Sequence, residues 1–203
     1  MARYGMVIDL NTCTGCRACQ AACAAENRTP FWAGKFRTHV EDRTTGAFPV
    51  VNRYFLPHLC MHCENAPCVS VCPTGASHRT EEGIVVVDAE RCMGCKYCIV
   101  ACPYGARYVY ESEDVRRAQE VYGEGPKGST VDKCSFCRQR VQAGMEPACV
   151  ATCLAGARIF GDLDDPRSQV AKLVAEGQAK QVRADLGTKP KVYYLGSLPD
   201  KEG

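Results

Sequence analysis

Apolar positions along this chain come in short bursts, and most are too brief for a full-length helix. Residues 4–10 (YGMVIDL) form an apolar run that predicts a strand. Residues 18–26 are alanine-rich and predict a helix. Residues 29–36 are irregular and hold the only tryptophan, Trp32, read either as a lid over the segments before it or as a partner contact. Two strands are predicted over 36–40 and 47–56, joined around Thr44, Thr45 and Gly46. A hairpin follows over 77–88, turning at Gly83, with Asp88 placed to cap a helix. Residues 111–129, rich in charge and glycine, read as a surface crossover. A helical turn passes through Val141 and ends near Gly144. A longer helix is predicted to about Glu176, with Asp165 as cap, Pro166 at its first position and Gly177 as stop. Residues 191–195 (KVYYL) predict a last strand. The pattern is α+β, with short strands, short helices and many loops.

Elements this short bury little apolar surface, so something else must hold the chain together. The cysteines supply it. There are 16 of them in 203 residues, and they fall into four tetrads with none left over. Cys13, Cys16, Cys19 and Cys23 are spaced x2, x2, x3. Cys60, Cys63, Cys68 and Cys72 are spaced x2, x4, x3. Cys92, Cys95, Cys98 and Cys102 repeat the first spacing and are followed by Pro103. Cys134, Cys137, Cys149 and Cys153 are spaced x2, x11, x3. A C-x2-C-x2-C-x3-C-P run is the bacterial pattern for cubane iron–sulfur clusters: three thiolates wrap one cluster and the fourth ligates another.

Two other uses of cysteine fit less well. A disulfide scaffold is usually a short secreted chain, and it gives no reason for a repeated C-x2-C…C-x3-C unit. Structural zinc favours two C-x2-C pairs across a longer loop, which the second and fourth tetrads could imitate but the first and third do not. Four 4Fe-4S clusters are therefore expected. His62 lies between two ligands and reads as a neighbour of the site or a surface residue, since its tetrad is already complete. His39, His58 and His78 read as structural. Arg17 and Lys96, each inside a cysteine loop, are candidates for raising a cluster's potential, or are simply exposed charges.

The tetrads also pair. The second and third both end in Cys-Pro, share a downstream Gly-Ala (Gly75-Ala76, Gly105-Ala106) and are linked by the 77–88 hairpin, the layout of a bacterial two-cluster ferredoxin. The first and fourth are left to pair across the chain. Two pseudo-symmetric ferredoxin-like lobes result: residues 1–59 with 111–160, and an inserted lobe over 60–110, with 161–203 as a C-terminal tail packed on a lobe or on a partner.

The formal charge is +2 with cysteines counted as neutral. With every cysteine a thiolate and four oxidised cluster cores it becomes roughly −6. No basic stripe suggests nucleic acid. No apolar run approaches the ~18 residues of a membrane span, and residues 1–10 lack a secretory leader. The expectation is a protein that is cytoplasmic, or exported with a partner carrying the signal.

These four tetrads, including Cys60-Met61-His62-Cys63-Glu64-Asn65-Ala66-Pro67-Cys68 and the wide fourth group, resemble the iron–sulfur subunits of the dimethyl sulfoxide reductase superfamily, especially those of polysulfide, thiosulfate, tetrathionate and arsenate reductases. The resemblance covers about residues 2–160. It implies crossed ligation: Cys13, Cys16 and Cys19 with Cys153 (cluster 1); Cys134, Cys137 and Cys149 with Cys23 (cluster 2); Cys60, Cys63 and Cys68 with Cys102 (cluster 3); Cys92, Cys95 and Cys98 with Cys72 (cluster 4). Cys95 stands where nitrate reductase subunits have tryptophan, so four cubanes are implied. The resemblance further implies a molybdopterin catalytic subunit beside cluster 1 and an integral-membrane quinone-reacting subunit beside cluster 4. The chain would then be membrane-associated through its partners, on the outer face. No nucleophile–base pair suggests catalysis by the chain itself. The alternatives are a free polyferredoxin, or a subunit of a cytoplasmic formate dehydrogenase or hydrogenase complex.

Overall fold

The computed structural model describes residues 2–123 and 125–197. In chain order the elements are β1 (Tyr4–Asp9), α1 (Ala18–Glu26), β2 (Thr38–Ala47), β3 (Val50–Leu59), α2 (Pro67–Ser70), β4 (Ser77–Arg79), β5 (Val85–Val87), α3 (Tyr97–Val100), β6 (Tyr108–Val109), α4 (Ser112–Tyr122), β7 (Val131–Asp132), α5 (Arg138–Gln142), α6 (Ala148–Ala151), β8 (Arg158–Asp162), α7 (Gln169–Ala175), β9 (Ala179–Gln181) and β10 (Val192–Leu195). Single 3-10 turns occupy Phe31–Ala33 and Ala184–Leu186. The α+β composition of short elements is as expected.

The largest sheet has the order β8-β1-β10-β9. β1 runs parallel to β10, with Met6 opposite Val192, and antiparallel to β8, with Met6 opposite Phe160. A strand buried on both faces reads as a near-continuous apolar run, which is why residues 4–10 show no alternation. The two faces do different work. Met6, Ile8, Val192 and Tyr194 point into the main core, among the cysteines. Val7 points the other way, against Val170 and Ala179 of a second core. α7 thus covers the back of the sheet while its front faces the thiols. The tail of the chain supplies two of the four strands, one of them interior.

The antiparallel arm β2–β3 pairs Thr38 with Leu59 at its base and Ala47 with Val50 at its tip. The base is buried at Val40 and Leu59; the tip, at Phe48 and Val50, is exposed. The turn therefore falls at Phe48-Pro49 and not around Thr44–Gly46. Gly46 has a positive φ of 86°, but it sits inside the strand, where an added Cβ would lie 2.4 Å from the Val50 carbonyl oxygen. Its conformation serves close strand approach.

Three other expectations change. Residues 112–122 are a helix, α4, within the expected crossover: Glu113 and Asp114 occupy its first turn, Val115 and Ala118 are buried, and Gly123 ends it at φ 71°. Trp32 stacks on Tyr122 of this helix (centroids 6.0 Å apart) beneath the Arg117 guanidinium (4.6 Å), so it anchors the crossover. α7 begins at Gln169, three positions later than Pro166. Asp165 instead closes the preceding turn, its Oδ1 accepting from the Arg167 N–H (2.9 Å). Likewise Asp88 accepts from the Glu90 N–H (2.9 Å) in a turn, and α3 starts only at Tyr97. The 77–88 hairpin, the Val141 turn, the Gly177 stop and the final strand occur as read.

Candidate iron–sulfur site

Each tetrad is a loop followed by a helical turn. Cys19 and Cys23 both lie on α1, while Cys68, Cys98 and Cys149 lie on α2, α3 and α6, with Cys72, Cys102 and Cys153 just past their ends. The x3 spacing places both members of each pair along one helix face. In the last three tetrads a tight turn follows: Gly75, Gly105 and Gly156 donate to the carbonyls of Cys72 (3.2 Å), Cys102 (3.2 Å) and Cys153 (3.0 Å). The first tetrad has no such turn because α1 continues to Glu26.

The loops themselves bend through left-handed residues before the second cysteine. In the first and third tetrads these are glycines, Gly15 (φ 69°) and Gly94 (φ 75°); a Cβ on Gly15 would lie 2.4 Å from the Phe55 ring. The second and fourth put His62 (φ 45°) and Phe136 (φ 54°) at the same place, and these two rings stack on each other with centroids 3.7 Å apart. His62 is therefore fully buried, its Nδ1 accepting from the Val85 N–H (3.1 Å). It joins one cysteine loop to another, a role that its neighbours in sequence do not reveal. Arg17 and Lys96 are exposed and take left-handed conformations (φ 60° and 64°) at the starts of α1 and α3.

The thiols gather in four neighbourhoods. Cys13 has Cys19 and Cys153 as electrostatic neighbours, and Cys16 lines the same cavity. Cys23 has Cys134, Cys149 and Cys137. Cys63 has Cys60, Cys68 and Cys102. Cys98 has Cys92 and Cys72, and Cys95 is exposed on that loop. All sixteen cysteines are free of disulfides. Burial pushes the Cys63 and Cys134 thiols up to about 12 and that of Cys149 to about 11. Thiols so enclosed stay protonated near neutrality unless a metal centre takes the proton's place. Cys72 goes the other way: burial opposes it, but backbone donors, led by the Ser77 N–H (3.3 Å), pull it below its usual value.

Charge decides what these cavities accept. The buried ionic side chains are Arg107, Lys133, Arg158 and Lys191, all cations; no aspartate or glutamate is buried among the described residues. Burying unpaired cations costs several kcal/mol each. Among the described residues the Arg158 guanidinium reaches Thr38 Oγ1 (2.8 Å), Met6 Sδ (3.9 Å) and the sulfurs of Cys19 (3.5 Å) and Cys149 (3.6 Å). Nε, Nη1 and Nη2 of Arg107 are buried facing the sulfur of Cys98, without a well-formed hydrogen bond to the described residues. A 4Fe-4S centre on four thiolates is anionic and edged with sulfur acceptors, so it answers both the charge and the orphaned donors. Asn27 adds a further donor, toward Cys23 (3.6 Å) and Cys137 (3.7 Å). It is held by Arg37 (2.8 Å), which pairs with Asp132. Arg107, Arg158 and Asn27 carry no motif, so sequence reading passed over them; only the repeat of Gly-Ala-Arg marks the arginines.

The 4Fe-4S dicluster domain family matches residues 51–163, and a second 4Fe-4S dicluster domain matches residues 12–77. Relatives include a polysulfide reductase chain of Wolinella succinogenes, 40% identical over 99% of this protein and 96% of its own length. Arsenate respiratory reductase iron–sulfur subunit of Shewanella sp. is 38% identical over 97% of both proteins. A tetrathionate reductase subunit of Salmonella typhimurium is 44% identical over 96% of this protein and 72% of its own length. The chain belongs to the iron–sulfur subunits of the dimethyl sulfoxide reductase superfamily. As a member of that family it is an electron-transfer subunit carrying four 4Fe-4S clusters. In this iron–sulfur subunit no helix of the described residues is long and apolar enough to cross a membrane.

Proposed function

We propose that the four clusters are held crosswise and form one ordered relay between a molybdopterin catalytic subunit and a membrane subunit that reacts with quinone. Cys13, Cys16, Cys19 and Cys153 hold the first; Cys134, Cys137, Cys149 and Cys23 the second; Cys60, Cys63, Cys68 and Cys102 the third; Cys92, Cys95, Cys98 and Cys72 the fourth. The observation that carries this is the sequence of contacts between neighbourhoods. Arg158 touches Cys19 of the first and Cys149 of the second. Cys134 of the second has Cys60 of the third as an electrostatic neighbour, and the Phe136–His62 stack spans the same gap. Arg107 lies among Cys68 and Cys60 of the third and Cys98 of the fourth.

The ends of this series are its open points. Of the sixteen cysteines only Cys16 and Cys95 are exposed. Cys95 is surrounded in sequence by exposed Met93, Tyr97 and Val100, an apolar surface fitted to a subunit contact. In this reading the Cys16 end faces the catalytic subunit and the Cys95 end the membrane subunit, on the outer face. Bound clusters supply one-electron oxidation and reduction; the chain's residues fix their order and exclude water from the inner positions.

The native protein, purified from membranes, is expected to bring a molybdenum-containing subunit and a quinone-reacting one with it. The separated chain should take electrons from a strong reductant yet reduce no sulfur or arsenic oxyanion. A monomer without molybdenum supports a free carrier instead, and turnover by the chain alone overturns the assignment.

A further inference from the structure

Gly105-Ala106-Arg107 and Gly156-Ala157-Arg158 are the same tripeptide, placed identically after the last cysteines of two tetrads, Cys102 and Cys153. The glycine turns, at φ 59° and 63°, carry the chain back toward the loop it has just left. Both arginines consequently end up buried, 3% and 4% exposed. The second tetrad has the same turn but continues Gly75-Ala76-Ser77, and there the serine's backbone N–H meets Cys72 Sγ (3.3 Å). The first tetrad has no turn at all. The molecule therefore holds one such arginine in each lobe, not one per tetrad.

Where the guanidinium groups lie gives this repeat its meaning. Arg158 Nη2 is 3.5 Å from Cys19 Sγ and its Nη1 is 3.6 Å from Cys149 Sγ. Those thiols belong to different crossed sets of one lobe. Arg107 has Cys68, Cys60 and Cys98 as electrostatic neighbours, the first two from one set and the third from the other set of the same lobe. Its guanidinium is buried, faces the sulfur of Cys98, and makes no well-formed hydrogen bond to the described residues. No buried carboxylate among the described residues competes for either group. A guanidinium is always charged, planar and forked, so it can donate to two centres at once.

We propose that Arg107 and Arg158 are paired tuning residues, each a counter-ion shared by the two clusters of its lobe and raising the reduction potential of both. The inference rests on the crossed ligand sets proposed above. Adding an electron makes a cluster more negative, and a fixed cation beside it favours that state. No proton, bond or ligand moves in the step. Because one cation serves two centres, its removal moves two potentials together and leaves the other lobe unchanged.

The test is a redox titration of the intact complex, followed by electron paramagnetic resonance, with Arg107→Gln and Arg158→Gln. Each variant should retain its iron. In each, two of the four signals should lose about tenfold in reduced-to-oxidised ratio at fixed potential, about 59 mV toward negative for a one-electron couple. The pairs affected by the two variants should be complementary. Arg→Lys at either position should move the same pair by less than about threefold in that ratio. Unchanged potentials, a shift confined to one cluster, or the same pair moving in both variants would overturn the proposal. Should glutamine prevent assembly, the lysine variants decide: assembly with small shifts supports a charge role, and loss of iron from them as well refutes it. Crossed ligation is read separately from Cys23→Ser, so a one-cluster shift beside a normal Cys23→Ser result sinks this inference alone.

Discussion

Val192→Asp is expected to abolish accumulation of the cluster-loaded protein. Val192 is fully buried in β10, opposite Met6 of β1, on the face of the sheet that looks toward the cysteines. β10 lies between β1 and β9, so a disturbance there separates two strands from each other. An unpaired carboxylate at that depth costs several kcal/mol, set against a total stability of about 5–15 kcal/mol. Anionic clusters on the same side add repulsion. Val192→Ala, which only removes apolar volume, should cost roughly 2–3 kcal/mol and leave a folded protein. The yield of soluble, iron-containing protein and its thermal unfolding read both. Wild-type yield and iron content from Val192→Asp would mean that the tail does not close the front core.

The second large effect is expected from Cys23→Ser. Cys23 shares α1 with Cys19, yet its electrostatic neighbours are Cys134, Cys149 and Cys137, more than a hundred residues away in sequence. A serine hydroxyl is a poor ligand for iron that binds soft sulfur. The variant should lose or convert the cluster on Cys134, Cys137 and Cys149, with iron falling from about 16 to about 12 per chain if it is lost. The cluster on Cys13, Cys16 and Cys19 should remain largely intact. Single-ligand variants at Cys13 and Cys134 identify the two resonance signals. If Cys23→Ser altered only the signal that Cys13→Ser alters, the crossed pairing would be wrong.

Sequence legibility followed how local each cause is. β1, α1, the 77–88 hairpin and β10 were readable because their apolar runs and turn residues act within a few positions. The tetrads were readable because cluster chemistry dictates their spacing. α4 was not: its exposed face is charged, and part of its support comes from Trp32, which meets Tyr122 and Arg117 from far along the chain. The turn of the β2–β3 arm was misplaced because Gly46 signals a turn, whereas here it permits close approach of Val50. Arg158 lies 139 residues from the cysteine it touches, Cys19, and no local pattern encodes that meeting. His62 was ambiguous for the same reason, since its stacking partner Phe136 belongs to another tetrad.

The measurement that bears most directly on the relay is a metal and electron count on the anaerobically purified native chain. Total iron and acid-labile sulfide should each come to about 16 per chain, and reductive titration should consume about four electrons, one per cluster. Stoichiometric zinc, a persistent three-iron signal from intact protein, or an uptake of only about two electrons under full reduction would contradict a relay of four cubane centres.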